Sequence, residues 1–217
     1  MSNMIEKMED LRSARNPKAR IKVLRGHFVT SNSHLNTYID MSTVKCRHNN
    51  ARETAKVLAE EYKTNTHVNT IVCLDETEVI GTFLAEQLAD SSGMSLSAGN
   101  NISVITPEYY TQGQILFRDN KQRMIRDQQV LLLAGSVTTG RTISKAIESV
   151  LYYGGTICGV CAVFSAVSKV AGMEIKTIFI SKDVPDYRAY EPGKCPMCQN
   201  GEKIEAIVNS FGYSRLE

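Results

Sequence analysis

From residue 68 onward the apolar positions fall into short continuous runs, separated by stretches with helical spacing. Val68–Leu74 (VNTIVCL), Asn101–Thr106 (NISVIT), Gln129–Ala134 (QVLLLA), Thr156–Phe164 (TICGVCAVF) and Ile175–Ser181 (IKTIFIS) each read as a buried strand. The stretches from Val79 to Gly93 and from Arg141 to Tyr153 place apolar residues along one helical face. Short apolar strands alternating with helices predict a mostly parallel, twisted α/β sheet with helices on both faces. Right-handed crossovers then bring the carboxyl ends of the strands to one edge, where ligands bind in such folds.

The flanks differ. Residues 1–25 read as a polar helix broken near Asn16-Pro17. His27–Met41 (HFVTSNSHLNTYIDM) alternates as two strands around a polar turn, and a helix from Asn49 carries Ala51, Ala55, Leu58, Ala59 and Tyr62 on one side. Thr106–Gln128 breaks the rhythm as a long polar connection, the signature of a hairpin or a functional lid. From Pro185 the chain is irregular through CPMC and then predicts a short helix over EKIEAIVNSF. The resulting division is a domain over 1–184, including an N-terminal hood of about residues 1–48, and a small Cys-containing C-terminal appendage over 185–217.

Composition narrows the function. The 217 residues carry a net charge of +2 and no Lys/Arg-rich run, which argues against a nucleic-acid partner. No segment has the apolar length of a membrane span, and the polar, mixed-charge N-terminus is unlike a signal peptide. The expectation is a cytoplasmic protein whose six cysteines are reduced unless they bind metal.

Chemistry concentrates in Val130–Gly155. An apolar strand runs into Ser136, Val137, Thr138, Thr139, Gly140, Arg141 and Thr142, and a helix follows. Hydroxyls, a turn-forming glycine and a helix N-terminus together make a cradle for a phosphate group, though a plain Thr/Gly-rich turn has the same local pattern. The order strand, VTTGRT, helix, YYGG, strand resembles the phosphoribosyl pyrophosphate motif of the type I phosphoribosyltransferases. HFVTSNSHLNTYIDM resembles the hood segment of the orotate members, and TIVCLDETEVIGTFLAEQLA the family's first strand, pyrophosphate loop and helix. The resemblance implies that residues 136–142 hold a ribose 5′-phosphate, that Ser31, His34 and Tyr38 of the hood face the base, and that residues 106–128 form the catalytic lid. It also implies that the chain acts on a nucleotide or related phosphate ester, with magnesium as the cofactor of transfer, commonly as a homodimer.

Three departures qualify this. The two acids that grip the ribose diol in the family are replaced here by Ala134 and Gly135, neither of which can accept a side-chain hydrogen bond. Each lost charge-assisted bond is worth roughly 1.5–3 kcal/mol. The pyrophosphate region instead reads Asp75-Glu76-Thr77-Glu78, whose carboxylates repel a polyanion unless a metal bridges them, or simply cap the following helix. The lid lacks histidine and carries Arg118, Lys121, Arg123 and Arg126, which either close over a leaving group or decorate a hairpin surface. Three readings stay open: an orotate-type phosphoribosyltransferase, with no identified catalytic side chain; a non-catalytic regulator that binds a nucleotide or related phosphate ester on the same fold; and, third, a structural partner protein that uses the CPMC appendage for assembly.

Cys195 and Cys198 form half of a zinc site, with Cys46 and His48 as candidates to complete it, or a second subunit; free thiols are the alternative. Cys158 and Cys161, at odd spacing in a strand, are expected on opposite faces as core residues.

Overall fold

The computed structural model describes residues 4–110 and 113–216; Thr111 and Gln112, within the lid segment, lie outside the described residues. In chain order the elements are β1 (Glu9–Arg12), β2 (Arg20–Val29), β3 (His34–Asp40), α1 (Ser42–Cys46), α2 (His48–Ala59), β4 (Thr70–Cys73), α3 (Glu78–Ala89) and β5 (Ser103–Ile105). There follow β6 (Glu108–Tyr109), β7 (Ile115–Leu116), α4 (Asp119–Gln122), β8 (Gln129–Val137), α5 (Arg141–Tyr152), β9 (Thr156–Ser165), β10 (Lys169–Val170) and β11 (Met173–Ile180). The last are β12 (Ala189–Tyr190), α6 (Pro196–Gln199), β13 (Ala206–Asn209) and β14 (Gly212–Arg215).

The central sheet has the order β10-β11-β9-β8-β4-β5 and is parallel apart from β10. Its strands are buried on both faces, which explains their unbroken apolar runs. Ile71, Cys73, Leu131, Leu133, Cys161 and Val163 pack on the side of α2 and α3. Val72, Leu74, Val130, Leu132, Ala134, Val160 and Ala162 pack on α5 through Ile143, Ala146, Ile147 and Val150. The chain starts the sheet at β4, moves outward to β5, then returns past β4 to β8 and onward. This reversal makes β4/β8 the topological switch point, where the carboxyl-end loops diverge and leave a crevice.

A second sheet, β12-β3-β2-β13-β14 with β1 on β2, forms the hood. Two expectations are corrected here. Residues 9–12 and 20–25 are strands rather than a polar helix, because Arg20-Ile21-Lys22-Val23 alternates with period two and Ile21 is buried. The tail is also strand: Ala206 and Val208 point into the hood core while Ile207 faces out, and β13 pairs in parallel with Phe28 and Val29 of β2. Strands β12, β13 and β14 thus bring the segment from Ala189 to Arg215 into the sheet begun by β1 and β2. Cys158 and Cys161 do not point to opposite faces. A bulge in β9, where the register against β8 slips between Val130 and Leu131, turns Cys158 onto the cluster that holds Cys161. The segment 106–128 is a β6/β7 hairpin followed by α4. Among the described residues no helix is long and apolar enough to cross a membrane.

Leu131 is fully buried at the centre of β8. Leu131→Ala is expected to cost about 3 kcal/mol through lost transfer energy and a residual cavity. Urea denaturation reads this as a lower midpoint with an unchanged slope.

Candidate functional site

At the β4/β8 switch point lies a cavity of ≈ 280 Å³. Its floor is the loop into α5: Ser136 through Ile143 all line it. Gly140 takes a left-handed φ of 80° directly before α5, and a side chain there would collide with Val170. The turn therefore requires glycine, and it aims the first free amides of α5, a twelve-residue helix, into the cavity. Thr139, Arg141 and Thr142 are exposed there, and Thr138 is hydrogen-bonded to the Tyr187 hydroxyl on the opposite wall. The loop can hold a phosphate largely through backbone amides.

Ala134 and Gly135 point to opposite sides of β8. Ala134 lines the cavity and offers it a methyl group. Gly135 faces Lys45 instead: a Cβ there would lie 3.1 Å from Lys45 Cε and 3.5 Å from its Nζ. Lys45 is 7% exposed, and its Nζ donates to the Ser210 carbonyl at 2.8 Å. Burial lowers its pKa, against the pull of Asp75 and Glu76.

A carboxylate reaches the cavity from the loop after the neighbouring strand, β4. The β4/β8 ladder ends where Leu74 N–H donates to the Leu133 carbonyl at 2.8 Å. The Gly135 amide then donates to the Asp75 carboxylate, which lines the cavity. Burial raises the Asp75 pKa above the ordinary carboxylate range, opposed by Lys45 and by the Gly135 amide. Asp75 and Glu76 both occupy left-handed backbone, at φ 56° and 59°. Such conformations cost about 1–3 kcal/mol each for non-glycine residues and cluster at ligand sites. Nothing in the apolar pattern of the sequence signalled Lys45 or singled out Asp75 from its acidic neighbours.

The other candidates separate. Glu76 lies by Lys45 in the adjoining cleft, whereas Glu78 accepts from Thr106 at 2.9 Å and Thr77 is buried against the Leu74 and Leu133 carbonyls. In the hairpin, Arg118 clasps Glu108 at 2.6 and 2.7 Å, Lys121 donates to the Thr106 carbonyl, and Arg123 is exposed. None of the three lines the cavity, but the Tyr109 hydroxyl reaches the Asp75 amide. Ser31 and Tyr38 do line it; Tyr38 is packed between Phe28 and Tyr213 and its hydroxyl donates to Asp40. His34 faces away, into a cluster with His27, Cys195 and Cys198. Cys46 and His48 are not part of that cluster, because α1 and α2 pack on the central sheet.

Two outcomes follow from this geometry. Gly140→Ala is expected to weaken inorganic phosphate binding at least roughly 10-fold and to lower stability by about 1 kcal/mol or more, since the left-handed turn must bend around a side chain; calorimetry and urea denaturation measure the two effects. The raised pKa of Asp75 means that the folded chain keeps a proton which the unfolded chain releases above about pH 3.9. Stability contributed at this position therefore falls as pH rises through that acidic window. Asp75→Asn is expected to remove that fall, as read by thermal unfolding between about pH 3.5 and 7.

No family model matches the chain. A curated orotate phosphoribosyltransferase from Desulforamulus reducens is 23% identical over 187 residues, covering 82% of this chain and 86% of the relative. Among solved structures, a Leishmania donovani UMP synthase aligns with a TM-score of 0.53 at 16% identity over 74% of this chain, which spans 34% of that longer protein. An orotate phosphoribosyltransferase from Mycobacterium tuberculosis H37Rv aligns with a TM-score of 0.53 at 16% identity, covering 76% of this chain and 93% of that one. The chain has the type I phosphoribosyltransferase fold, and the proteins it resembles include orotate members of that family.

Proposed function

We propose that the protein binds a ribose 5-phosphate ester, most simply a pyrimidine nucleoside monophosphate, and that it transfers phosphoribosyl groups slowly or not at all. The observation that carries this reading is the combination in one cavity of an intact phosphate loop, residues 136–142, with the methyl group of Ala134 where a diol-gripping acid is expected. Phosphate recognition by backbone amides and a helix terminus does not depend on the missing acids. Diol and diphosphate recognition does. A diphosphate also brings charge toward Asp75 and Glu76, which magnesium would have to neutralise.

One observation favours turnover instead. Asp75 reaches the same cavity from the neighbouring strand, beside the ammonium of Lys45. On this second reading Asp75 takes over a diol contact and the protein is an orotate-type transferase. No side chain in the cavity acts as a general base in either case; transfer would rest on positioning and on charge around the leaving diphosphate.

The readings part in one experiment. Calorimetry should find uridine or orotidine monophosphate bound at least as tightly as phosphoribosyl pyrophosphate with magnesium. An assay of orotidylate formation should find little or no product. Turnover within the ordinary enzyme range of about 1–1000 per second would overturn the binding reading. Ala134→Asp is expected to improve phosphoribosyl pyrophosphate affinity about 10-fold, the equivalent of one charge-assisted hydrogen bond. Gly135→Asp is not expected to do so, because its side chain points to Lys45.

A further inference from the structure

The side-chain cluster outside the cavity has the geometry of a closed metal site. His27 lies on β2 and His34 opens β3. Their strands pair with Val29 opposite His34, and His27 sits at the irregularity between Arg25 and Phe28, where its ring meets that of His34 with centroids 5.3 Å apart. His27 Nε2 and His34 Nδ1 are 3.1 Å apart. Onto this pair docks the CPMC turn, with Cys195 just before α6 and Cys198 within it. Cys195 Sγ is 3.6 Å from His27 Nε2; Cys198 Sγ is 3.6 Å from His27 Nε2 and 3.3 Å from His34 Nδ1. All four donor atoms lie within 4.8 Å of one another.

The geometry points to one zinc ion held by His27, His34, Cys195 and Cys198, a structural clamp that fastens the C-terminal arm to the hood hairpin. Bond lengths of about 2.3 Å to sulfur and 2.0–2.1 Å to nitrogen, at tetrahedral angles, put neighbouring S and N donors about 3.5 Å apart and two N donors about 3.3 Å apart. The four separations given above match this, and the remaining two lie within 4.8 Å. The donor set of two thiolates and two imidazoles is that of structural zinc, with no place left for an exchangeable water.

The surroundings support ligation rather than casual proximity. His27 Nδ1 faces the Glu202 carbonyl at 3.1 Å, so Nδ1 carries the proton and the Nε2 lone pair is presented to the cluster. His27 and Cys195 are buried, at 2% and 1% exposure, while Cys198 closes the outer side. The turn that carries the cysteines is shaped by Gln199 N–H donating to the Cys195 carbonyl and Gly201 N–H to the Cys198 carbonyl, so both sulfurs face one way. The arm otherwise has little to hold it: α6 buries no residue of its own, and two-residue β12 is its only strand before β13.

The test uses the full chain, expressed with zinc supplied and purified without chelator. Elemental analysis should find about one zinc per chain, with the two thiols unreactive until the metal is removed. Cys198→Ser and His34→Asn, both outside the buried interior, should each lower retained zinc to below about a tenth of that value while the central sheet keeps its circular dichroism. Replacement of the metal by cobalt(II) should give the absorption of a tetrahedral thiolate–imidazole centre, a readout independent of any variant. Limited proteolysis after chelation should cut between residues 191 and 203, and zinc should restore protection. Metal-free protein with both thiols freely titrating, a disulfide between Cys195 and Cys198, or undiminished zinc in both variants would each overturn the assignment.

Discussion

Everything near the cavity depends on β8 being buried on both faces. A strand in that position has no solvent side, so each residue serves one of two packed layers. Leu131 and Leu133 fill the layer of α2 and α3, and Val130, Leu132 and Ala134 fill the layer of α5. Alternation therefore decides which residue at the strand end meets a ligand. Ala134 lines the cavity; Gly135 turns to Lys45 on the other side. The ladder between β4 and β8 also stops there, which leaves the Gly135 amide without a strand partner. Asp75 takes that amide, and with it a place in the cavity. One backbone donor at the end of one ladder thus fixes the acidic side of the site.

The hood depends on contacts distant in sequence. Its core is small: Leu24, Phe28, Leu35, Tyr38, Ala206 and Val208 form the buried cluster. Two of these six come from β13, near the other end of the chain, so the hood is completed only when both ends have met. His27 and His34 bracket the turn at residues 30–33, whose residues form the outer wall of the cavity. The way the C-terminal arm is anchored therefore bears directly on the shape of the ligand site, although no cysteine reaches it.

The central sheet was legible because its signal is local. Apolar runs of strand length, bounded by turn residues and separated by helical periods, identify β4, β5, β8, β9 and β11 without knowledge of the fold. That residues 136–142 form a turn into a helix at the sheet's edge was legible for the same reason: hydroxyls, glycine and a helix start are contiguous in sequence. The misreadings share a different cause. In residues 20–23 the charged Arg20 and Lys22 at the outward positions imitate a polar helix, and in 206–208 the outward Ile207 is itself apolar, so the burial alternation of Ala206 and Val208 leaves no polar alternation in the sequence. A bulge is silent in composition, so nothing told Cys158 from a regular strand position. The grouping of His27 with His34 was within reach. A two-residue turn at Ser31-Asn32 sets Val29 opposite His34 and brings His27 close to it in the hairpin, although the register shift between Arg25 and Phe28 leaves the facing of His27 outside what alternation alone gives. What no local pattern contains is that CPMC returns to this pair, since this depends on β13 adding to β2.

The contrast between the two halves of the cavity has a physical basis. On the proposed reading, anion recognition on the α5 side would use backbone groups, which survive almost any substitution that keeps the turn and its one glycine. Recognition on the β4/β8 side would instead need side-chain carboxylates, and position 134 offers a methyl group. Moving the acid to Asp75 does not restore the same field. There the carboxylate already accepts from the Gly135 amide and faces the Lys45 ammonium, so part of its capacity is spent inside the protein. Burial also favours its protonated form, a weaker acceptor for a sugar hydroxyl than a free carboxylate. The cavity is therefore asymmetric in strength. On the proposed reading it would be firm toward the phosphate end of a ribose ester and weak toward the diol and anything beyond it, the balance suited to holding a finished nucleotide rather than activating its diphosphate precursor.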